Sequence, residues 1–289
     1  MTEVIHIRPR SSRVPRTVQR LFRSLNIALG AGILLVIVLL GLFASNLSSY
    51  DPLLVTPALR LQEPNPEHLF GTDDFGRDVF TRIAYGARLS LLVGFVSVAI
   101  AATIGIPLGM IGGYFGGRVD ALIMRAMDVM LAFPGILLAL AIVAILGRSL
   151  TNVMIAVGIS AIPTYARMAR GSTLSVKSID YVLAGLSIGC TAPRIITRHI
   201  FPNILAPLIV IATNGIAGAI IAGAALSFLG LGAQPPTPEW GIMLSEGRVY
   251  LRAAWWVTTF PGLAIMITVM SINLIGDGLR DILDPRLRL

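Results

Sequence analysis

Residues 89–117 read LSLLVGFVSVAIAATIGIPLGMIGGYFGG and contain no charged side chain. About 20 residues of this kind cross the ~30 Å hydrocarbon core of a bilayer when they form an α-helix. Backbone amides in hydrocarbon need hydrogen-bond partners within their own segment, and a helix supplies them. The run therefore predicts a membrane-spanning helix.

Five further uncharged runs have the same character and lie at 24–50, 129–147, 149–166, 200–238 and 253–276. The whole chain of 289 residues is 55% hydrophobic and only 13% charged, a balance typical of a membrane protein rather than a water-soluble domain. The alternating pattern of barrel strands does not occur in the sequence. We therefore expect an all-α integral membrane protein with six transmembrane helices.

The basic residues predict how these helices are oriented. With six spans and a cytoplasmic N-terminus, 16 of the 23 Lys and Arg residues fall on the inner side and 7 on the outer side, which is the asymmetry of membrane proteins. Residues 1–23 are then a cytoplasmic tail, residues 24–289 form the transmembrane domain, and both termini are cytoplasmic. The apolar run after the tail is too long for a cleaved secretory signal.

The formal net charge of +8 comes from these basic flanks. No stripe of basic and aromatic residues of the kind that binds nucleic acid is present, so nucleic acid is excluded as a partner. The same topology places Trp240, Trp255 and Trp256 on the outer side, where tryptophan favours the membrane interface.

The segment 51–88 connects the first two runs on the predicted outer side. Its first half is rich in turn-forming residues, and residues 78–91 are amphipathic. We expect the amphipathic half to lie along the outer interface. Arg77, Asp78 and Arg82 then either face solvent or contact another subunit or an external binding protein.

The segment 167–203 separates two runs on the predicted inner side and is too long for a passive connection. Residues 181–188 favour a short helix, with Asp180 as a candidate N-cap and Gly189 as a candidate C-cap. From these residues alone, the helix either presents an apolar surface to a soluble partner or rests on the bilayer.

Two faces of small residues predict close packing between helices, since small side chains let helix backbones approach each other in lipid. These faces consist of Gly105, Gly109, Gly113 and Gly117 in the second run, and of Gly215, Ala219 and Gly223 in the fifth. We interpret both as packing faces, and the alternative is that they line a substrate pathway.

The segment 167–203 resembles the signature loop of permeases in binding-protein-dependent ABC importers. The match consists of residues 180–189, DYVLAGLSIG, followed by residues 198–203, RHIFPN. The family often has an acidic residue and an alanine where this chain has Leu183 and Gly185. The resemblance implies contact with an ATP-hydrolysing subunit for Asp180, Tyr181, Leu183, Ala184, Gly185, Gly189, His199, Pro202 and Asn203.

Three further stretches resemble the dipeptide, oligopeptide and nickel branch of this family, in particular its C-type subunit. They are residues 71–78, GTDDFGRD, residues 227–241, SFLGLGAQPPTPEWG, and residues 276–286, GDGLRDILDPR. With the loop, they cover the chain from about His68 to Leu289 in the order of the family. The external family motif consists of Gly71, Thr72, Asp73, Gly76, Arg77 and Asp78.

The resemblance implies a type I ABC importer permease fold in a bacterial or archaeal plasma membrane. It implies half of a translocation pathway for peptides or similar small solutes, with nickel chelates or glutathione-like compounds as alternative cargo. The implied partners are a second permease in a heterodimer, two ATPase subunits, an external solute-binding protein and membrane lipid. No catalysis and no cofactor are expected on this chain. ATP and Mg belong to the ATPase subunits, since this sequence lacks the phosphate-binding pattern Gly-x-x-x-x-Gly-Lys-Ser/Thr.

A self-sufficient secondary transporter is the main alternative function. Such a carrier is expected to have ionisable residues inside its spans, and the uncharged runs contain none. An intramembrane hydrolase is a second alternative, but the sequence lacks a Ser/His pair, a His-Glu-x-x-His motif and paired intramembrane aspartates.

The remaining polar residues predict no metal site. His6, His68 and His199 do not lie at metal-ligand spacing from one another or from the single cysteine, Cys190. We expect Asp128, near Arg125, to form an interfacial ion pair rather than a transport site.

Overall fold

The computed structural model describes residues 25–283. The predicted tail at 1–23 and the end of the motif at 276–286 lie outside these residues in part or in full. Within the described part, the main helices are α1 (Leu25–Leu42), α2 (Val79–Phe115), α3 (Gly117–Leu131), α4 (Gly135–Leu146), α5 (Leu150–Lys177), α6 (Asp180–Ser187), α7 (Ala192–Phe228), α8 (Trp240–Gly247) and α9 (Trp256–Leu283).

Short turns of helix at Ala44–Leu47, Pro57–Leu59 and Arg248–Tyr250 complete this part of the chain. Between residues 25 and 283 there is no strand, only an isolated bridge between Thr72 and Asp78. The prediction of an all-α protein is confirmed.

Four of the described helices are long and apolar enough to cross a membrane, namely α1, α2, α7 and α9. α3 and α4 form a fifth candidate, although their axes meet at 87°. The run 129–147 is therefore not one straight helix, because Pro134 cannot donate a backbone hydrogen bond and the chain turns there before α4. The predicted count of six also needs α5, which is long but carries Arg167 and Arg170 in its second half, and that count stays a prediction.

α2 and α5 pack side by side in the same direction and form the centre of the bundle. Gly105, Gly109 and Gly113 lie directly against the α5 backbone, where any Cβ atom would overlap it. The interpretation of these three glycines as a packing face is confirmed. Gly117 is different, because α2 ends at Phe115 and Gly117 begins α3 with φ of +52°.

α7 runs antiparallel to α2 and closes the second side of the core. Gly223 faces Val93, and Ala219 is buried in the cluster formed with Val98 and Tyr165. α9 packs between α7 and α1, and Gly30 of α1 lies against the carbonyl of Ser271. The rest of α1 is largely exposed and apolar, as a lipid-facing helix requires.

Two connecting segments differ from their predicted form. Residues 78–91 do not lie on a surface, since Asp78 caps α2 and the first turns of that helix are buried. The predicted connection 167–203 is also shorter than expected, because α5 continues to Lys177 and α7 begins at Ala192. Only residues 178–191 join these two helices.

We call the end of the bundle where α2, α5 and α9 begin the motif end, because it contains residues 71–78. The opposite end, which contains residues 178–191, is the loop end. Each end contains one of the predicted sites.

Candidate functional sites at the two ends of the bundle

The helix cap at Asp78 organises the motif end. Its carboxylate accepts hydrogen bonds from the backbone N–H and the hydroxyl of Thr81, at 2.7 and 2.6 Å. The same carboxylate lies 3.0 Å from Nδ1 of His68, and both side chains are buried. A carboxylate at this position satisfies the free amides of the first turn and favours the positive end of the helix dipole. The external motif thus begins the long helix α2.

Asp73, Arg77, Arg82 and Glu246 form a buried charged cluster beside this cap. Arg77 donates from Nε to Asp73 at 2.6 Å and from Nη2 to Glu246 at 3.2 Å. Arg82 donates to the same Glu246 oxygen at 3.3 Å, and its Nη1 donates to the carbonyls of Pro52 and Pro236 at 3.1 Å each. Arg77 is only 2% exposed, so these charges are stabilised by one another rather than by water.

The carboxyls on α8 and in the preceding loop have shifted pKa values. Burial raises the pKa of Glu246, and the neighbouring Arg77 and Arg82 offset part of that increase. Burial also raises the pKa of Glu239, whose carboxylate accepts the backbone N–H groups of Gly241 and Ile242 at 2.9 and 3.0 Å. Glu239 is thereby the N-cap of α8.

Two buried tryptophans donate hydrogen bonds to backbone carbonyls at the motif end. Trp240 donates its indole N–H to the carbonyl of Ile83, and Trp256 donates to the carbonyl of Thr72, both at 3.0 Å. Gly71 lies against the Trp256 ring with φ of +70° and leaves no room for a side chain. Trp240 and Trp256 are buried, so their predicted place at the membrane interface is wrong, whereas Trp255 is 53% exposed.

Most side chains of the external family motif are therefore buried within this chain. Gly76 turns with φ of +72° against the carbonyl of Thr56, while Thr72, Asp73, Arg77 and Asp78 are buried. The expectation that Arg77, Asp78 and Arg82 face solvent or another protein is wrong, because each already has a buried partner. Sequence reasoning missed Glu246, because it is 169 and 164 residues from Arg77 and Arg82 and no local pattern links it to them.

The short helix α6 dominates the loop end. Its N-cap is Ile179 and Asp180 is its first residue, so the predicted cap at Asp180 is displaced by one position. At the other end Ile188 is the C-cap, and Gly189 follows it with φ of +83°. The N–H of Cys190 bonds to Gly185 O, and that of Gly189 to Leu186 O, both at 3.0 Å. This is the left-handed glycine ending that satisfies the last carbonyls of a helix.

α6 has one buried side and a larger exposed side. Val182 is completely buried against Tyr114, Ala169 and Ile200, and Gly185 is buried next to it. The exposed large apolar side chains are Ile179, Tyr181, Leu183, Leu186 and Ile188. Ile188 is 81% exposed. Such a cluster on a short projecting helix marks a contact surface.

A carbonyl group joins α6 to the start of α7. Residues 196–200 form a π-helical turn, and Pro202 lacks the N–H that would continue the regular pattern. The carbonyl of His199 accepts from the Tyr181 hydroxyl at 3.1 Å and from the Asn203 side chain at 2.7 Å. The structure thus brings together Tyr181, His199, Pro202 and Asn203, which the sequence had placed in one motif. Leu183 and Ala184 point away from these contacts and are exposed.

Two ion pairs connect α3 to the half of α5 nearer the loop end. Asp120 and Arg170 form a two-bond pair at 2.5 and 2.6 Å. Asp128 pairs with Arg167 at 2.7 Å, so the predicted ion pair forms, but its partner is not Arg125. Within residues 25–283, no group of three or more His, Cys, Asp or Glu side chains could hold a metal ion.

Comparison with known proteins identifies the family to which this architecture belongs. The family described as "Binding-protein-dependent transport system inner membrane component" matches residues 105–289. The Dipeptide transport system permease protein DppC of Alkalihalophilus pseudofirmus is 53% identical over 87% of this chain and 83% of its own length. The Glutathione transport system permease protein GsiD of Pectobacterium atrosepticum is 45% identical over 98% of this chain and 95% of its own length.

A solved structure of the MetNI methionine ABC transporter, in an inward-facing conformation, has the same fold. The similarity covers 68% of this chain and 94% of that chain, with a TM-score of 0.55 and 20% sequence identity. It extends the type I ABC importer permease fold to this chain. The chain belongs to the family of inner-membrane components of binding-protein-dependent transport systems and is a multi-pass permease subunit of an ABC importer.

Proposed function

We propose that this chain forms one half of a transmembrane pathway for peptides and that α6 couples it to an ATPase subunit. The observation that carries the proposal is the exposed apolar side of α6, a helix that Val182 anchors to the bundle and Tyr181 joins to α7. A rigid helix with an exposed apolar side transmits a push or rotation, whereas a loose loop would absorb it. Val182 and the Tyr181–His199 contact direct that movement into α5 and α7.

The proposed partners are those that the resemblance to importer permeases implies. A second permease subunit completes the pathway as a heterodimer, and two ATPase subunits bind the two loop ends. A solute-binding protein delivers cargo to the motif end. The loop end lies in the cytoplasm together with both termini, because the larger share of Lys and Arg belongs to that side.

Catalysis belongs to the ATPase subunits, which hold ATP and Mg. This chain is not expected to bind ATP itself, since its sequence has no phosphate-binding loop, and we propose no cofactor for it. The predicted set of Asp180, Tyr181, Leu183, Ala184, Gly185, Gly189, His199, Pro202 and Asn203 divides into residues that touch the ATPase and residues that support α6. Leu183 and Ala184 touch the ATPase, while Tyr181, His199 and Asn203 brace the helix from behind.

Peptides are the cargo that the similar proteins support best. One is named for dipeptides and another for glutathione, and glutathione is itself a tripeptide with one unusual linkage. A third, from Escherichia coli, is named as a probable D,D-dipeptide permease and is 46% identical. All three cargoes share amide groups and opposite terminal charges. Uptake of nickel chelates stays a prediction from the sequence.

Co-purification followed by reconstitution tests the proposal. The chain is tagged and extracted in mild detergent, and its companions are identified by mass spectrometry. The recovered complex is then placed in vesicles, and uptake of labelled dialanine and glutathione is measured with and without ATP. We expect a second permease, ATPase subunits and uptake that requires both ATP and the binding protein. Uptake by this chain alone, driven by an ion gradient, would instead establish a secondary transporter.

A further inference from the structure

A groove of about 450 Å³ lies between α2, α4, α5 and α7. Its polar lining consists of Ser97, Ser160, Thr164, Tyr165 and Asn214. Tyr165 is 15 residues into the 28-residue helix α5, which places it about 22 Å along a helix of about 42 Å. The groove therefore lies near the middle of α5, two residues before Arg167, and the residues that line it carry no charge.

The Tyr165 hydroxyl is a buried polar atom without a hydrogen-bond partner. Its ring crosses from α5 to α7, and the side chain is only 2% exposed. The hydroxyl reaches Gly215, where a Cβ atom would overlap it. A buried hydroxyl without a partner costs about 1–3 kcal/mol, so a protein retains one where something else binds to it. This atom lies at the wall of the groove.

The groove is open on one side, where a mostly apolar lining carries a few polar groups. Thr164 and Asn214 are exposed there, and Gly218 lies beside them without a side chain. Hydrocarbon would leave these polar groups unsatisfied, so this side is covered by protein or filled with water. By contrast, the exposed side chains of α1 are apolar, including Leu35, Val36 and Leu39. The two surfaces face different surroundings.

The lining offers hydrogen bonds but no charge. The residues that line it include no Asp, Glu, Lys, Arg or His. Neutral hydroxyl and amide groups match the N–H and C=O groups of a peptide backbone. They would also release a zwitterionic peptide quickly, whereas a buried charge would hold one of its termini. A pathway needs contacts that are favourable for entry and weak enough for exit.

We propose that this groove is part of the peptide pathway through the bundle, where Tyr165, Thr164 and Asn214 offer hydrogen bonds to the backbone of an extended peptide. This inference rests on the proposed function as a peptide permease subunit. Gly218 provides the width of the groove, since a Cβ atom there would meet nothing within 4 Å. Gly276 of α9 lets the Asn214 side chain pack against it. A Cβ atom at residue 276 would overlap the Asn214 side-chain oxygen.

Two substitutions test the groove without disturbing the fold. Gly218→Leu fills open space, and Gly32→Leu in α1 is its matched control, because a Cβ atom at Gly32 also meets nothing within 4 Å. Tyr165→Phe removes only the hydroxyl that has no partner. The reconstituted complex is assayed for assembly, for ATP hydrolysis stimulated by the binding protein, and for uptake of labelled dialanine, trialanine and tetraalanine.

We expect Gly218→Leu to assemble normally and to lower tetraalanine uptake at least about tenfold, with a smaller loss for dialanine. Tyr165→Phe should lower uptake of all three peptides about threefold at unchanged thermal stability, and Gly32→Leu should behave as the unmodified chain. Unchanged uptake in both groove variants would overturn the inference. Loss of assembly in Gly218→Leu would overturn it too, by showing that the groove is a subunit interface. If the unmodified complex transports none of these peptides, the proposed function itself fails.

Discussion

The two ends of the bundle differ in which side chains are buried and which are exposed. At the motif end, charged side chains are buried and paired, as Arg77 is with Asp73 and Glu246. At the loop end, apolar side chains are exposed, as Leu183 and Ile188 are on α6. Buried charges need fixed partners, and exposed apolar groups need a covering surface. The buried charges of the motif end therefore have their partners within this chain, and the exposed apolar side chains of α6 are available for contact with another subunit.

The largest expected effect comes from disrupting the buried charges of the motif end. Arg77→Ala leaves Asp73 without its closest partner and Glu246 with one arginine fewer, and removing one member of a buried pair costs about 3–5 kcal/mol. We expect a clear fall in the thermal unfolding temperature of the purified complex. The control is Arg60→Ala, because the Arg60 side chain is exposed and donates only to the Tyr250 hydroxyl at 3.3 Å. Equal unfolding temperatures for the two variants would show that the motif end does not depend on its charges.

The second effect tests the exposed side. Leu183 is 46% exposed, so Leu183→Asp should change folding stability by no more than about 0.5 kcal/mol. A charge in an apolar contact should weaken co-purification of the ATPase at least about tenfold, or ~1.4 kcal/mol.

Leu54→Asp is the matched control for this test, since Leu54 is 63% exposed at the motif end. It should leave ATPase binding unchanged. If Leu183→Asp also retains the ATPase, then α6 rests on the bilayer instead, and the difference between the two ends loses its meaning.

The third effect sharpens the account of the loop end. Gly189 has φ of +83° but open space around it, so a substitution there tests backbone conformation and not crowding. Gly189→Val should distort the end of α6, because a left-handed residue with a Cβ atom costs about 1–2 kcal/mol. Asparagine tolerates this conformation. We expect ATP hydrolysis to continue with much less uptake in Gly189→Val, and near-normal uptake in Gly189→Asn. Equal uptake in both variants would show that coupling of ATP hydrolysis to transport does not depend on the left-handed turn at Gly189.

The smallest effect concerns pH at the motif end. Burial raises the pKa of Glu239 in the folded chain, so its contribution to stability is present at low pH and is lost as pH rises through the raised pKa. The slope cannot exceed about 1.4 kcal/mol per pH unit for one group. We expect unfolding temperatures to decline, as pH rises above the ordinary glutamate pKa of 4.5, more steeply for the unmodified chain than for Glu239→Gln. Parallel curves would assign the pH dependence to other groups.

Local patterns explain which predictions succeeded. The hydropathy of 89–117 and the glycine after residue 188 act within one segment, and the structure has a long helix and a left-handed turn there. The prediction for residues 78–91 was wrong because amphipathic periodicity does not distinguish a surface helix from one whose polar side is buried against charges. The helix break at Pro134 was foreseeable from the proline, but its 87° angle was not.

The sequence alone determined that the chain crosses a membrane in several apolar helices, that a short helix projects between α5 and α7, and that the chain resembles importer permeases. These features depend on neighbours a few residues apart. Only the tertiary structure decided that Arg77 and Arg82 reach Glu246, which is 169 and 164 residues away along the chain. It also decided that Tyr165 and Asn214 line one groove. Distant partners are selected by how whole helices pack, and a single sequence carries no local pattern for that choice.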